Sequence, residues 1–549
     1  MNKIIVLLTL TIFSCSILNT IFNKPISSFF SEYIFFISFI FLILAVSLEF
    51  KKIQIPINIF PIVFIVFTIT CHYYFFKDSI YFYFIYLCAF FIAILIGFCQ
   101  DKNSQVMIYL CFTFIALGLI TSLLANIQWL GFSQNQNYIL SLVGTRPYAN
   151  FAQPNHLATF LFLSLISLYY LFEKQKNKPL FSLVLSFFLI WGIVLTQSRT
   201  AWIVIFFIPL FLLFKSKKNS LNITKLQLAG IFSLFWLMVV SLPYVNKSFA
   251  PYFNIAQSST LIERATTGHL RLNIWNQMIH AILEKPWFGY GWGQTTAAQY
   301  AVIDRYPGTE WASSAHNILL DILVWCGIPL GLIIIGYFAY LYFSFFLKSK
   351  SLETVCATLM ISAVLIHAML EYPLHYAYFL LPVGFLCGIC LAEQNVKTFE
   401  VSNKWGYLVA IIGFGLLYQV FKEYDQITDN MVAANTHEMN EFKTELILPY
   451  NSIFFDKFEY RAKWIAQYPY MEVDQKTLDL AERNLNTYLT SYDLNKYATL
   501  LAHNGDKEKA IRQLKILKIM YNEDVTYDSL FIKKPSVNVP LETNSLTNN

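Results

Sequence analysis

The sequence is poor in charged residues. Asp, Glu, Lys and Arg make up only 13% of its 549 residues, whereas a soluble domain carries about a quarter. Hydrophobic residues account for 56% and aromatic residues for 18%. This composition excludes an ordinary soluble domain and predicts a membrane protein. The net charge of +6 is modest and gives no indication of a nucleic-acid partner.

Features of a secreted disulfide protein are also missing. The polar segment from Lys422 onward contains no cysteine, and the nine cysteines lie in apolar segments, so no disulfide framework is expected. Cys387 and Cys390 form a C-x-x-C pair inside an apolar run, where the accessible thiolate of a redox pair is lacking. The apolar stretch from Ile4 to Phe22 is not followed by a small-residue cleavage site. We expect it to remain as a membrane span.

Motifs for nucleotide or metal chemistry are absent as well. There is no Walker Gly-rich loop, no dinucleotide-binding fingerprint and no Gly-x-Ser-x-Gly elbow. His367, Glu371 and His375 are spaced four apart, but Pro373 interrupts a helix there and no HExxH motif or carboxylate cluster accompanies them. An enzyme driven by ATP or hydride transfer is therefore disfavoured, and neither a cofactor nor a metal is expected.

The apolar residues form runs long enough to cross a bilayer, which takes about 20 residues of helix. These runs are too long and too evenly apolar for barrel strands. Their predicted centres lie near residues 12, 41, 65, 89, 116, 164, 188, 207, 234, 332, 361, 383 and 413. The sequence thus predicts an all-α polytopic membrane protein with roughly 12 to 13 transmembrane helices.

Lysine is concentrated in alternate loops, and positively charged loops stay in the cytoplasm. The predicted cytoplasmic loops are 51–52, 100–103, 173–178, 215–225, 348–350 and 394–404. The opposite, periplasmic face receives 126–155, 197–200, the long loop 244–315, the turn at Glu371 and the tail. A break at Gly327 and Pro329 leaves the course of residues 316–347 open.

Two domains are predicted: a membrane domain at residues 1–421 and a small helical periplasmic domain at 422–549. Within the second, residues 497–520 have the pattern of a helix, a turn containing Gly505 and another helix. This pattern is similar to one tetratricopeptide-like unit. Because a single unit is weak evidence for a repeat, a generic small helical domain is favoured over a tetratricopeptide-like one.

Arg199 stands in a short turn between two apolar spans, on the face where arginine is disfavoured. A guanidinium group there suits bidentate binding of phosphate oxygens. The alternative is an arginine that anchors the turn to lipid headgroups.

His316 opens an apolar helix, with Ser313 and Ser314 as predicted N-caps. The positive end of the helix dipole favours a neutral imidazole, which can accept a proton from a hydroxyl. A structural histidine at the membrane interface is the alternative.

Polar side chains also cluster in the two large periplasmic loops. Gln153, Asn155 and His156 cluster at the start of a span that Pro154 opens, and they either bind sugar hydroxyls or phosphate or only cap the helix.

In the long loop, Arg264 and Arg271 are two helical turns apart and could face one anion together. In residues 285–294, glycines alternate with aromatic residues, which predicts either a flexible, ring-lined surface for sugars or an interfacial aromatic belt.

Three stretches resemble a known family, the O-antigen ligase and polymerase superfamily, and within it the PglL-like protein O-oligosaccharyltransferases of Gram-negative bacteria. They are Gln153-Pro-Asn-His-Leu-Ala158, the Ser198-Arg199 turn, and the long loop from Arg271-Leu-Asn-Ile-Trp275 through Pro286-Trp-Phe-Gly-Tyr-Gly-Trp292 to His316-Asn317. The resemblance covers roughly residues 100–395. It implies a multi-pass helical protein of the inner membrane whose active site faces the periplasm.

The resemblance also implies roles for single residues. His316 would be the catalytic base, and Arg199 with one of Arg264 or Arg271 would hold a pyrophosphate. The Gln153-Pro-Asn155 motif is similar to the signature of the protein-glycosylating branch. The other residues implied in substrate binding are His156, Asn317, Glu371 and Tyr372, the last two on a polar turn near the same cavity.

The implied reaction is metal-independent and inverting, and it moves a glycan from an undecaprenyl-pyrophosphate carrier to Ser or Thr of a pilin-like acceptor protein. A ligase that adds O-antigen to lipid A core, or a polymerase that extends the glycan, would use the same residues. A polysaccharide flippase or transporter is a further alternative, but it would be expected to show internal repeats and discontinuous helices at mid-membrane. Neither is clear in the sequence, and the distinctive residues cluster on one face.

Overall fold

The computed structural model describes residues 3–22, 24–76, 81–100, 105–134, 136–176, 178–216, 221–255, 269–446, 448 and 452–532. Within these ranges the chain forms nineteen α-helices, three short 3₁₀ helices and one two-stranded sheet.

In chain order the α-helices are α1 (Lys3–Leu18), α2 (Phe29–Glu49), α3 (Phe60–Phe76), α4 (Tyr81–Phe98), α5 (Gln105–Trp129), α6 (Pro154–Glu173), α7 (Pro179–Leu195), α8 (Arg199–Ser216), α9 (Lys225–Phe249), α10 (His269–Glu284), α11 (Thr295–Val302), α12 (Ile318–Lys348), α13 (Leu352–Ala368), α14 (Ala377–Ala392), α15 (Lys404–Met439), α16 (Asp456–Ala466), α17 (Gln475–Leu485), α18 (Ser491–His503) and α19 (Lys507–Tyr521).

The apolar helices match the predicted spans. Seven described helices, α2, α5, α6, α8, α9, α12 and α15, are long and apolar enough to cross a membrane, and six more are apolar but shorter. Each of the thirteen predicted centres lies inside one of these helices. The prediction of an all-α polytopic membrane protein is confirmed.

A short sheet joins two loops that the lysine pattern places on the same side of the membrane. Strand β1 (Lys52–Pro56) pairs antiparallel with β2 (Thr398–Ser402), and Lys52 forms an ion pair with Glu400. The two strands are about 350 residues apart along the chain, since the Lys52–Glu400 separation is 348. If the predicted number of spans between the two loops were wrong by one, the loops would lie on opposite sides of the bilayer and could not pair. The pairing therefore agrees with the predicted topology.

The predicted break in residues 316–347 is present as a kink at Gly327, which separates two helical segments within the range of α12. Gly327 in α12 has φ +73°, a left-handed conformation that favours glycine. Residues 286–291 of the long loop pack into the bend. Tyr290 N donates to Val324 O at 2.9 Å and Ile328 N donates to Pro286 O at 2.7 Å. These bonds satisfy backbone groups that a broken helix would leave unpaired at membrane depth.

The same packing corrects the prediction of a flexible, ring-lined surface at residues 285–294. A Cβ on Gly289 would lie 2.4 Å from Val324 O, so this glycine permits close packing. Tyr290 and Trp292 are buried, and the Trp292 ring packs on Trp325 with centroids 4.9 Å apart. Only the neighbouring rings of residues 287 and 288 are exposed.

The tail is helical, as predicted. Helix α15 runs unbroken from Lys404 past residue 422 to Met439, and α18 and α19 flank a turn at Gly505, where φ is +78°. The division of the chain at residue 422 therefore falls within a continuous helix and stays a prediction.

The tail packs against α11 of the long loop. Tyr300 of α11 and Ile303, which directly follows α11, are buried in the hydrophobic core of α16–α19. Tyr300 OH donates to Gln513 Oε1 at 2.9 Å, and Arg512 binds Asp304 at 3.1 Å. The long loop and the tail therefore lie on the same side, in agreement with the predicted alternation of spans.

Candidate active site around Glu371

Glu371 is the point where the polar side chains of four separate segments meet. Its side chain is only 5% exposed. Asn155 Nδ2 donates to Oε1 at 3.0 Å, and the Arg271 guanidinium binds the same oxygen. His316 Nδ1 lies 2.7 Å from the other oxygen, Oε2. The turn after α13, the start of α6, helix α10 and the residues before α12 thus share one carboxylate.

The charge state of Glu371 follows from these partners. Burial by itself raises the pKa of this carboxyl, but the hydrogen bond from His316, the charge of that imidazole when it is protonated, and the charge of Arg271 outweigh burial and leave the pKa below its ordinary value. Glu371 is therefore a carboxylate at neutral pH and accepts a hydrogen bond from His316 Nδ1. In a neutral imidazole, Nε2 then carries the lone pair that can accept another proton. The His316 side chain is 26% exposed, so it is open to a substrate.

The backbone of His316 has a conformation that is unusual for histidine, with φ +51°. Asp321 holds the segment in place, because its carboxylate accepts from Ser314 Oγ at 2.7 Å and from Ala315 N at 2.8 Å. Ser314 Oγ in turn accepts from His316 N at 3.1 Å. Strain of this kind persists only where the surrounding structure fixes it, and it is typical of functional sites.

Asn317, rather than a serine, caps α12. Its Oδ1 accepts from Leu319 N at 3.0 Å and from Leu320 N at 3.3 Å. The prediction that Ser313 and Ser314 cap this helix was wrong, because Ser314 binds Asp321 instead. Asn317 was expected to bind substrate, yet its oxygen serves the helix N-terminus.

Tyr372 and Arg199 complete the cluster. The Tyr372 ring lies edge-on to His316 with centroids 5.2 Å apart, and burial, followed by the charge of Glu371, raises the pKa of its phenol. Arg199 begins α8, is half-buried, and lies close enough to Arg271 and Glu371 for their charges to act on it. Two guanidinium groups beside a single carboxylate leave positive charge that suits an anionic ligand.

Gln153 and His156 form hydrogen bonds within the protein. His156 is fully buried, with Nε2 3.1 Å from Gln153 Nε2 and Nδ1 2.7 Å from Tyr378 OH. Because an amide nitrogen only donates, His156 Nε2 is the acceptor and Nδ1 carries the proton. Both ring nitrogens of His156 are thus used inside the protein. Arg264 lies outside the described residues.

Three family models match the chain. A model described as O-antigen ligase matches residues 184–335, one described as protein glycosylation ligase matches 147–172, and one described as virulence factor membrane-bound polymerase, C-terminal, matches 355–528. Asn155 lies in the second match, Glu371 in the third, and Arg199, Arg271 and His316 in the first. The Glu371 cluster is therefore assembled from all three.

Two relatives from Acinetobacter baylyi are similar along most of the chain. A general O-oligosaccharyltransferase is 36% identical over 432 residues, which cover 76% of this chain and 73% of the relative. A ComP-specific O-oligosaccharyltransferase is 34% identical over 383 residues, 68% of each chain. The chain belongs to the O-oligosaccharyltransferase family. The resemblance found in the sequence is confirmed.

Two residues of the candidate site in this O-oligosaccharyltransferase were not predicted from the sequence. Arg146 Nη2 donates to Asn155 Oδ1 at 3.0 Å, and Arg146 Nε donates to Thr196 O at 2.9 Å. Asp321 is 1% exposed in the first turn of the apolar helix α12. Arg146, like Arg199, is an arginine in a loop on the face where arginine is rare, and this feature indicated it. A carboxylate inside an apolar helix indicated Asp321.

Two other histidines near the candidate site, His367 and His375, contact different residues. His367 Nδ1 lies 2.9 Å from Thr159 Oγ1, whereas the His375 ring faces Trp325 at 6.0 Å. Of the residues that the structure describes, no group of three His, Cys, Asp or Glu side chains is placed to share a metal ion. The described site thus consists of a carboxylate, an imidazole and arginines.

Proposed function

We propose that this O-oligosaccharyltransferase moves a glycan from an undecaprenyl-pyrophosphate carrier to a Ser or Thr hydroxyl of a pilin-like protein, at the periplasmic face of the inner membrane. The observation that carries the proposal is the Glu371 carboxylate, which binds the Nδ1 side of His316 and the guanidinium of Arg271 together. This contact brings a proton acceptor next to a cationic pocket, as transfer from a pyrophosphate requires.

The proposed step is a single displacement without a metal. His316 Nε2 takes the proton of the acceptor hydroxyl while its oxygen forms a bond to the anomeric carbon. The bond from that carbon to the pyrophosphate oxygen breaks, and the electron pair leaves with the lipid pyrophosphate. Arg199 and Arg271 balance the charge that develops on this leaving group. Attack opposite the leaving group inverts the anomeric centre.

A protein acceptor is supported by the match to the model described as protein glycosylation ligase and by the relative whose name specifies ComP. Models described as an O-antigen ligase and a polymerase also match this chain. Lipid A core or a growing glycan would use the same donor chemistry, so the choice of acceptor distinguishes the three activities.

The test is transfer by purified enzyme from lipid-linked oligosaccharide to pilin, lipid A core or glycan, with EDTA present. We expect glycosylated pilin, a loss of about 10²- to 10⁴-fold in His316→Ala and a loss of about 10²- to 10³-fold in Arg199→Ala. Arg305→Ala is the matched control, because Arg305 binds Ala301 O and Glu284 in the long loop, away from Glu371. Activity that survives in His316→Ala, or that EDTA abolishes, would contradict the mechanism. Transfer to lipid A core alone would identify a ligase.

A further inference from the structure

A chain of hydrogen bonds leads from Arg146 to His316. Arg146 Nη2 donates to Asn155 Oδ1 at 3.0 Å, and Asn155 Nδ2 donates to Glu371 Oε1 at 3.0 Å. Glu371 Oε2 lies 2.7 Å from His316 Nδ1. Asn155 and Glu371 are nearly fully buried, with 6% and 4% of their surface exposed, so water does not readily replace either bond.

The direction of every bond in this chain is fixed from both ends, because the Arg146 guanidinium can only donate and the Glu371 carboxylate can only accept. Asn155 must therefore turn its oxygen toward Arg146 and its NH₂ group toward Glu371. Glu371 Oε1 is then occupied by donors, and Oε2 is left to accept from His316 Nδ1. The imidazole is held in the tautomer that leaves the lone pair on Nε2.

Arg146 also connects the two halves of the site. Its Nε donates to Thr196 O at 2.9 Å. Thr196 directly follows α7 and stands three residues before Arg199, which begins α8. One guanidinium group thus holds both the turn that carries Arg199 and the amide that orients Glu371.

We propose that Arg146 is a positioning residue of the transferase, which through Asn155 holds Glu371 in the orientation that keeps Oε2 on His316 Nδ1, and which holds the Arg199 turn at a fixed distance from them. The inference rests on the proposed function of His316 as the base. Arg146 acts through its neighbours and does not itself touch the reacting atoms.

The kinetic test compares Arg146→Ala, Asn155→Leu and the double variant. Removing the outer-shell partner of a metal-binding side chain costs about 10- to 100-fold, so we expect each single variant to lower kcat by a factor of that order and to shift the acidic limb of the pH profile of kcat, on which the proposed base must lose its proton. The double variant should be no slower than the slower single variant, because both changes break one chain. Arg146→Lys should restore part of the rate, and Arg305→Ala, which removes a loop arginine outside the chain, should change nothing.

The direct test is the tautomer itself. In protein with ¹⁵N-labelled histidine, the resonances of His316 are identified by their absence in His316→Ala. We expect a protonated Nδ1 and an unprotonated Nε2 in the wild type and a mixture of tautomers in Arg146→Ala. An unchanged tautomer in Arg146→Ala, or additive losses in the double variant, would overturn the inference. This measurement needs no substrate, so it decides the role of Arg146 even if transfer to pilin fails.

Discussion

Two buried carboxylates in this protein have nearly the same kinds of partner. Asp493 in the tail is fully buried and accepts from the Arg461 guanidinium, from Trp464 Nε1 at 2.8 Å and from Asn484 Nδ2 at 3.1 Å. Glu371 likewise binds an arginine, an aromatic ring nitrogen and an asparagine amide. The difference lies in the ring nitrogen.

The indole of Trp464 can only donate, whereas the imidazole of His316 has a second nitrogen that can accept a proton. The arginine partners also differ in exposure. The side chain of Arg461 beside Asp493 is 14% exposed, whereas that of Arg271 beside Glu371 is 25% exposed. A carboxylate whose partners never change protonation holds a fold together. The same arrangement is able to support catalysis when one partner titrates and reaches the surface.

The largest effect is expected when both carboxylates receive the same isosteric change. Glu371→Gln places an NH₂ group among the donors and removes the charge that fixes His316, so kcat should fall by roughly 10³- to 10⁴-fold, as in a Ser-His-Asp triad that loses its carboxylate. Asp493→Asn should leave kcat within about twofold per folded molecule. Transfer assays normalised to folded protein measure both. Equal losses of kcat would show that the comparison is mistaken.

Substitution of the two arginines should likewise have different effects, one on transfer and the other on stability. Arg271→Ala removes cationic charge from the proposed pyrophosphate pocket, so transfer should fall by about 10²- to 10³-fold. Arg461→Ala leaves Asp493 buried without its ion-pair partner and should lower the unfolding free energy of the tail by about 3–5 kcal/mol. Denaturation monitored in the tail, together with kcat, distinguishes them. A loss of transfer in Arg461→Ala that persists in fully folded protein would contradict the division.

The tail should also respond to pH through a buried lysine. Lys496 donates to Glu438 Oε1, Ile465 O and Tyr492 OH, each at 2.8 Å. Burial lowers the pKa of Lys496 to about 8, although the charge of Glu438 opposes this shift. An unfolded lysine keeps its proton to about pH 10.4. Above pH 8 the unfolded state therefore binds more protons, and the tail becomes more stable as pH rises, by at most about 1.4 kcal/mol per pH unit.

Urea denaturation of the tail at pH 7.5, 8.5 and 9.5 measures this slope. Lys496→Met should abolish it. Glu371 should contribute no slope in this range, because a carboxyl with a lowered pKa loses its stabilising contacts only as the pH falls below its ordinary value of 4.5. A slope that persists in Lys496→Met would assign the effect to another group.

The smallest effect is expected where the tail meets the long loop. Tyr300→Phe removes the hydrogen bond to the buried Gln513 and should weaken docking of the tail on α11 by about 1 kcal/mol. Hydrogen exchange in α11 measures the docking. Tyr521→Phe is the matched control, since Tyr521 OH donates to Leu489 O within the tail at 2.7 Å. Faster exchange in α11 for both variants would mean that docking depends on the tail's stability rather than on this bond.

The amino-acid sequence by itself determined the membrane architecture. Helices form wherever apolar runs are long enough to bury their backbone groups in lipid, and this property is local, so all thirteen centres were found. Arg199 and His316 were also identifiable as candidates. A charged or titratable side chain at the edge of an apolar helix costs free energy, so it is expected to have a binding partner or a function.

The partnership around Glu371 was decided only by the tertiary structure. Its carboxylate is 216 residues from Asn155, 100 from Arg271 and 55 from His316. No periodicity along the chain relates such positions, and which oxygen meets which donor depends on how α6, α10 and α12 pack. The sequence therefore indicated candidate residues, whereas the packing of the helices determined that one buried carboxylate binds three of them.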